Sequence, residues 1–180
     1  MRRAVFKYSV FCLAFSFSTA AFAQEVNHVV VQPGAPVKVI ELEAEFKGEG
    51  KDFLGNYSPD RIDIDIKFEN VAEARVHAVR FGVISYNVFD EFMSRRTATS
   101  TKNLDPAKDR ELRWQSFPPR TEAFTFLTGI VYVDTVRFAN GEIWRVDQAT
   151  LAQQISDLGI IVDEAHLTYE EAPQPFTGEQ

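Results

Sequence analysis

Asp63 and Asp65 alternate with Ile62, Ile64 and Ile66. A β-strand here would set two carboxylates on one face about 7 Å apart, a spacing suited to general acid and base work or to holding a cation. The same alternation is the pattern of a solvated strand face whose isoleucines turn to a core. The three histidines, His28, His77 and His166, are spread along the chain, and none has the local spacing of a zinc or calcium site. There is no Gly-x-Ser-x-Gly elbow and no serine beside a histidine in a recognisable nucleophile context. These residues predict no catalytic group, no metal site and no cofactor. Arg95, Arg96 and Lys102, with Lys108, Arg110 and Arg113 nearby, form the one basic concentration, in a polar stretch over 92–110 that reads as a long surface loop and a partner-binding candidate. Trp114, Phe117, Tyr132 and Trp144 could stack on sugar rings, but large aromatics more often bury most of their area in a core.

Residues 1–23 have the order of a secretory signal peptide, a removable N-terminal signal helix. Arg2, Arg3 and Lys7 open it, an apolar run centred on residues 10–15 follows, and Ala21-Phe22-Ala23 supplies the small residues for cleavage between Ala23 and Gln24. The run is broken by Ser16, Ser18 and Thr19, unlike the roughly 20 apolar residues of a membrane anchor. Bulky Phe11 precedes Cys12, which argues against lipidation. Cleavage would leave residues 24–180 and move the formal charge from -7 to -10, because three cations and no acids are lost. It would also remove Cys12, the sole cysteine, so no disulfide or thiol chemistry is expected in the exported domain. An acidic exported chain of this length predicts a single core, a periplasmic or extracellular location, no nucleic-acid binding and no membrane association after cleavage.

Downstream the pattern is mostly β. Residues 24–36 read as a flexible lead-in broken by Pro33, Gly34 and Pro36. From Val37 the alternation switches faces near Glu41, which predicts a strand with a bulge. Residues 62–69 form the clearest half-buried strand, and 75–89 has apolar rows on both faces, as a central strand would. Asn140-Gly141 predicts a two-residue hairpin turn between strands. Asp147 can cap a helix near 148–158 whose Leu151, Ile155 and Leu158 share a face, with Gly159 to stop it. Residues 163–180 carry five acids and no Lys or Arg, with Pro173 and Pro175, and read as an acidic disordered tail. About seven short strands without helical crossovers predict an all-β, antiparallel sandwich over 37–162.

Phe68-Glu69-Asn70, Tyr86-Asn87 with Asp90, and Val136-Arg137-Phe138-Ala139-Asn140-Gly141 resemble the FxLYD-related immunoglobulin-like domains of bacterial exported proteins. The resemblance spans roughly Val37 to Asp147, and Phe89 stands where a glycine often precedes that aspartate. It implies an immunoglobulin-like sandwich and brings no catalytic residues with it. The expectation is a noncatalytic interaction or structural module of a bacterial envelope, meeting a protein partner through the 92–110 loop, the helix or a sheet edge. The alternatives are a small-ligand or carbohydrate-binding protein and, behind it, a cryptic hydrolase.

Overall fold

The computed structural model describes residues 25–51, 55–117 and 124–167; the signal segment and its Ala23/Gln24 boundary lie outside them. In chain order the strands are β1 (Val26–Val29), β2 (Val37–Lys47), β3 (Gly50–Lys51), β4 (Tyr57–Ser58), β5 (Arg61–Asn70), β6 (Val76–Asn87), β7 (Phe92–Ser100), β8 (Asp109–Ser116), β9 (Phe126–Phe138) and β10 (Ile143–Arg145). One helix, α1 (Gln148–Ser156), and a 3-10 turn (Glu164–Leu167) follow.

Two sheets face each other across the main core. The first runs β1-β9-β6-β7 with β10 also on β9, and the second runs β2-β5-β8. β5 follows the alternation of its sequence: Ile62, Ile64, Ile66 and Phe68 are buried, and Phe68 meets Phe81 of the opposite sheet with ring centroids 4.8 Å apart. The face switch expected in β2 is a bulge between Val39 and Glu41, which leaves Ile40 outside and brings Val37, Val39, Leu42 and Ala44 onto one buried face. A second core lies on the far side of the first sheet, where Ile84, Tyr86, Ile130 and Tyr132 pack against Leu151 and Ile155 of α1 and against Leu167. The first sheet is therefore covered on both faces, so β6 and β9 are buried almost throughout. The structure is an all-β sandwich with a helical layer on one outer face.

The expected helix is present. Asp147 Oδ1 accepts from Thr150 N and Thr150 Oγ1, and the chain turns away at Gly159 with φ +81°. The Asn140-Gly141 hairpin is also present, in a different form: Phe138 N donates to Glu142 O across the three-residue loop 139–141, and only Gly141 has positive φ. Asn140 Oδ1 instead accepts from Glu142 N, replacing the second left-handed residue by a side-chain bond.

Three expectations are corrected. The lead-in over 24–36 contains β1, parallel to β9 at Thr128–Val131, and a buried Val30. Between β1 and β10, Gln32 continues the ladder with its side chain: Nε2 donates to Val133 O and Oε1 accepts from Val133 N. The strand ends at Val29, Val30 N still donates to Val131 O, and the breakers after it turn the chain into β2. The 92–110 stretch is mainly two edge strands, β7 and the start of β8, because alternate Ser, Thr and Arg side chains suit an edge that is half solvated. The segment from Asp163 begins with an ordered turn in which Asp163 Oδ1 accepts from Ala165 N, and Leu167 is 1% exposed. Residues 168–180 of the expected tail lie outside the described residues.

Candidate functional site

Arg95 and Arg96 are consecutive residues of a strand, so they leave it on opposite faces. Arg95 pairs with Ile84, on the helix side, and Arg96 with Val83, on the sandwich side. Only Lys102 of the expected basic trio is an exposed loop residue. The combined surface loop of Arg95, Arg96 and Lys102 does not exist. In its place Arg95, with a side chain 7% exposed, belongs to an internal polar cluster.

That cluster is built on a bulge. Phe81 pairs with Val133 and Arg80 with Thr135, leaving Asp134 as the extra residue of β9. Its carboxylate, in a residue 5% exposed, accepts from Arg80 Nε at 2.6 Å, Arg95 Nη2 at 3.1 Å and Thr135 Oγ1 at 2.7 Å. Arg95 Nε also donates to Tyr132 Oη at 2.6 Å, and the Tyr132 ring lies across Gly82 on the neighbouring strand. A Cβ at Gly82 would fall 2.5 Å from Tyr132 Cε1 and closer still to Cζ and Oη, so this close approach requires glycine. Burial pushes the Tyr132 phenol above its ordinary 10.0, against the opposing pull of Arg95.

A second site lies at the end of the first sheet where β6 turns into β7. Asn87 Oδ1 accepts from Phe89 N at 2.9 Å and Glu91 N at 3.0 Å, while Val88 N donates to Thr125 O ahead of β9. Asp90 closes the turn at φ +60°. The result holds Phe89 outward, 74% exposed. Beside it is a recess of about 400 Å³ lined by His28, Tyr86, Asp90, Thr128 and apolar groups including Ile160 and Ile161. Ile160 and Val162 pack into the second core, so the intervening Ile161 points away and is 94% exposed. Val26, Val88 and Phe124 add exposed apolar surface to this end. Tyr86 is 4% exposed, its hydroxyl has no hydrogen-bond partner among the described residues, and burial pushes its phenol up from 10.0. Its ring meets Phe92 edge-on, and Phe92 stacks flat on His166 at 3.8 Å.

The carboxylate pair lies elsewhere. Asp63 takes Arg61 Nε at 2.8 Å and Asp65 is 3.6 Å from Arg113, on the outer face of the second sheet. His77 Nδ1 instead bonds Asn103 at 2.8 Å, so the structure does not bring it to the aspartates. Among the described residues no three His, Cys, Asp or Glu side chains are grouped to hold a metal ion, and no helix is long and apolar enough to cross a membrane. The four aromatics do not form a platform: Tyr132 is fully buried on the helix side, whereas Trp114 and Trp144 pack against the sandwich core from different sheets.

The apolar rim was missed from sequence because Phe89, Phe124 and Ile161 fall in separate connections. Phe89 ends the 75–89 run that reads as a central strand, so its sequence carries no signal for an outward-facing turn. The Asp134 cluster was missed because nothing local marks an aspartate inside an apolar strand as the partner of arginines 39 and 54 residues away.

No protein-family model matches the chain, and no curated protein matches it. Similar solved structures include a hypothetical protein from Peptoclostridium difficile 630, at 8% identity and TM-score 0.49 over 67% of this chain and 91% of that one. Another is Northeast Structural Genomics Consortium target SoR45, at 15% identity and TM-score 0.41 over 62% of this chain and 80% of that one.

Proposed function

We propose that the chain is an exported, noncatalytic, immunoglobulin-like interaction module of the bacterial envelope, and that it meets a protein partner through the apolar end of its first sheet. The observation that carries this reading is the exposure at one end of the sheet of Ile161, which lines the recess, of Phe89, next to its Asp90, and of Phe124, next to the Thr125–Val88 bond: 94%, 74% and 62% exposed. Grouped apolar surface of this kind is costly to leave in water and marks contact sites, whereas single exposed apolar residues do not. The Asn87 bonds hold Phe89 in place, so little ordering cost falls on association. The signal-like segment supports the export, and the resemblance of Val37 to Asp147 to exported immunoglobulin-like domains supports the finer fold.

Photo-crosslinking in cells tests the reading. A crosslinker at Phe89 or Ile161 should capture the same envelope protein, and one at Lys102 or Asn140 should not. Capture from Lys102 with none from Phe89 would overturn the assignment of the surface. The second reading, a small-ligand protein, draws on the same recess, where His28, Asp90 and Thr128 accompany apolar walls. Its mark would be a saturable small molecule retained by the purified chain and lost on Thr128→Trp.

A further inference from the structure

The recess at the end of the first sheet is assembled from separate parts of the chain. Val26, Thr128 and Tyr86 are register partners across β1, β9 and β6, so their side chains stand in one row on the helix side of the sheet. Ile160 and Ile161, where the chain leaves α1, supply apolar wall, and exposed Asp90 stands at the rim. The β6–β7 turn fixes that rim relative to Tyr86: Asp90 N donates to Asn87 O, and Asn87 N donates to Glu91 O.

A volume of about 400 Å³ is that of a site for a small organic molecule, for which the range is about 300–1,000 Å³. The polar groups select its charge. Among the described residues that line the recess Asp90 is the one formal charge, and a carboxylate only accepts hydrogen bonds. An anionic ligand would meet it with no cation from these residues to offset the repulsion, whereas an ammonium group would pair with it. The formal charge of -7 on the whole chain favours the same sign of ligand. The Thr128 hydroxyl and a neutral His28 imidazole can each accept from an ammonium N–H as well.

Tyr86 makes a second demand. It lines the recess and is 4% exposed, yet its hydroxyl has no hydrogen-bond partner among the described residues. A hydroxyl buried without a bond is costly, so a ligand that supplies the bond gains affinity there. The aliphatic side chains of Val26, Ile160 and Ile161 call for an apolar body between the two polar ends.

We propose that the recess is a binding site for a small organic amine, whose ammonium group pairs with Asp90 and whose apolar body ends in a polar group bonded to the Tyr86 hydroxyl. This inference rests on the small-ligand reading of the recess and names the class of molecule it takes.

Tyramine, para-ethylphenol and para-hydroxyphenylpropionate share one phenol and differ in charge, being positive, neutral and negative. Titrated into the purified chain and followed by amide chemical shifts, tyramine should saturate with a Kd about three- to fivefold below that of para-ethylphenol, the gain expected of a partly solvated ion pair, and the propionate should bind most weakly. Asp90→Asn, a residue that also tolerates the turn's φ of +60°, should remove this ranking. Tyr86→Phe should weaken all three probes by about threefold or more through the lost hydrogen bond. Equal affinities for the three probes, a ranking retained in Asp90→Asn, or affinities unchanged in Tyr86→Phe would overturn the proposal and leave the recess a site for molecules of another class. No saturable shift with any probe, or saturation that survives Thr128→Trp, would overturn the proposal and the small-ligand reading together.

Discussion

Gly82 and Tyr132 make the most incisive test of how the first sheet is assembled. In Gly82→Ala the new methyl would occupy the space of the Tyr132 Cζ and Oη atoms, so the ring must swing off the strand and release Arg95. Forcing a side chain out of a packed site costs about 1–3 kcal/mol. Losing a hydrogen bond to a charged donor adds about 1.5–3 kcal/mol. Against these, replacing glycine inside a strand returns about 0.5–1 kcal/mol of unfolded-state entropy. The net destabilisation should be about 3 kcal/mol, and it should depend on the tyrosine. Tyr132→Leu removes Cε1, Cζ and Oη, so in that background Gly82→Ala should be neutral or slightly stabilising, giving a coupling energy of about 3 kcal/mol. Urea unfolding followed by circular dichroism reads this directly, as a midpoint shift of about 1.5 M for a slope near 2 kcal/mol/M. An equal shift from Gly82→Ala in both backgrounds would exclude the ring as its cause, because the cost would then belong to the backbone.

Asp134→Ala should destabilise by about 3 kcal/mol, since it withdraws the carboxylate from the almost fully buried Arg95, whereas Arg80→Ala should cost less than about 1 kcal/mol because Arg80 is partly solvated; chemical denaturation of both variants separates them. Tyr132 has its phenol raised by burial, so its contribution is complete below the ordinary value of 10.0 and is lost as pH rises through the raised one. Thermal melts from pH 8 to 11 should show a steeper alkaline decline for the unmodified chain than for Tyr132→Phe. The Thr150 bonds lower Asp147 below its ordinary 3.8, so its contribution is present above that value and fades as pH falls through the lowered one. Asp147→Ala should therefore melt lower than the unmodified chain at pH 7 and converge with it in acid. Gly141→Ala, forced to φ +93°, should cost about 1 kcal/mol, and Gly141→Asn should cost less, by the same melts.

Local periodicity made much of the fold legible. The isoleucine ladder of β5, the two apolar rows of β6, the bulge in β2, the Asn140-Gly141 hairpin and the Asp147-capped helix each depend on residues within about one turn or one strand of each other, where sterics and side-chain period act directly. The β7 edge strand reads as loop in sequence because Ser, Thr and Arg carry no apolar period; pairing with β6 confers its strand state. β1 escaped because a parallel partner about 100 residues away leaves no local turn signal.

Local pattern along the chain sets which residues alternate, where the hairpin and the helix begin, and that the described residues build their core from strands. Tertiary structure alone decided that Arg95 turns inward while Arg96 turns the other way, that Asp134 joins it to Arg80, and that Phe89, Phe124 and Ile161 share one end. Those outcomes are set by strand order and register, which bring together groups that are far apart along the chain, and no local pattern encodes that distance.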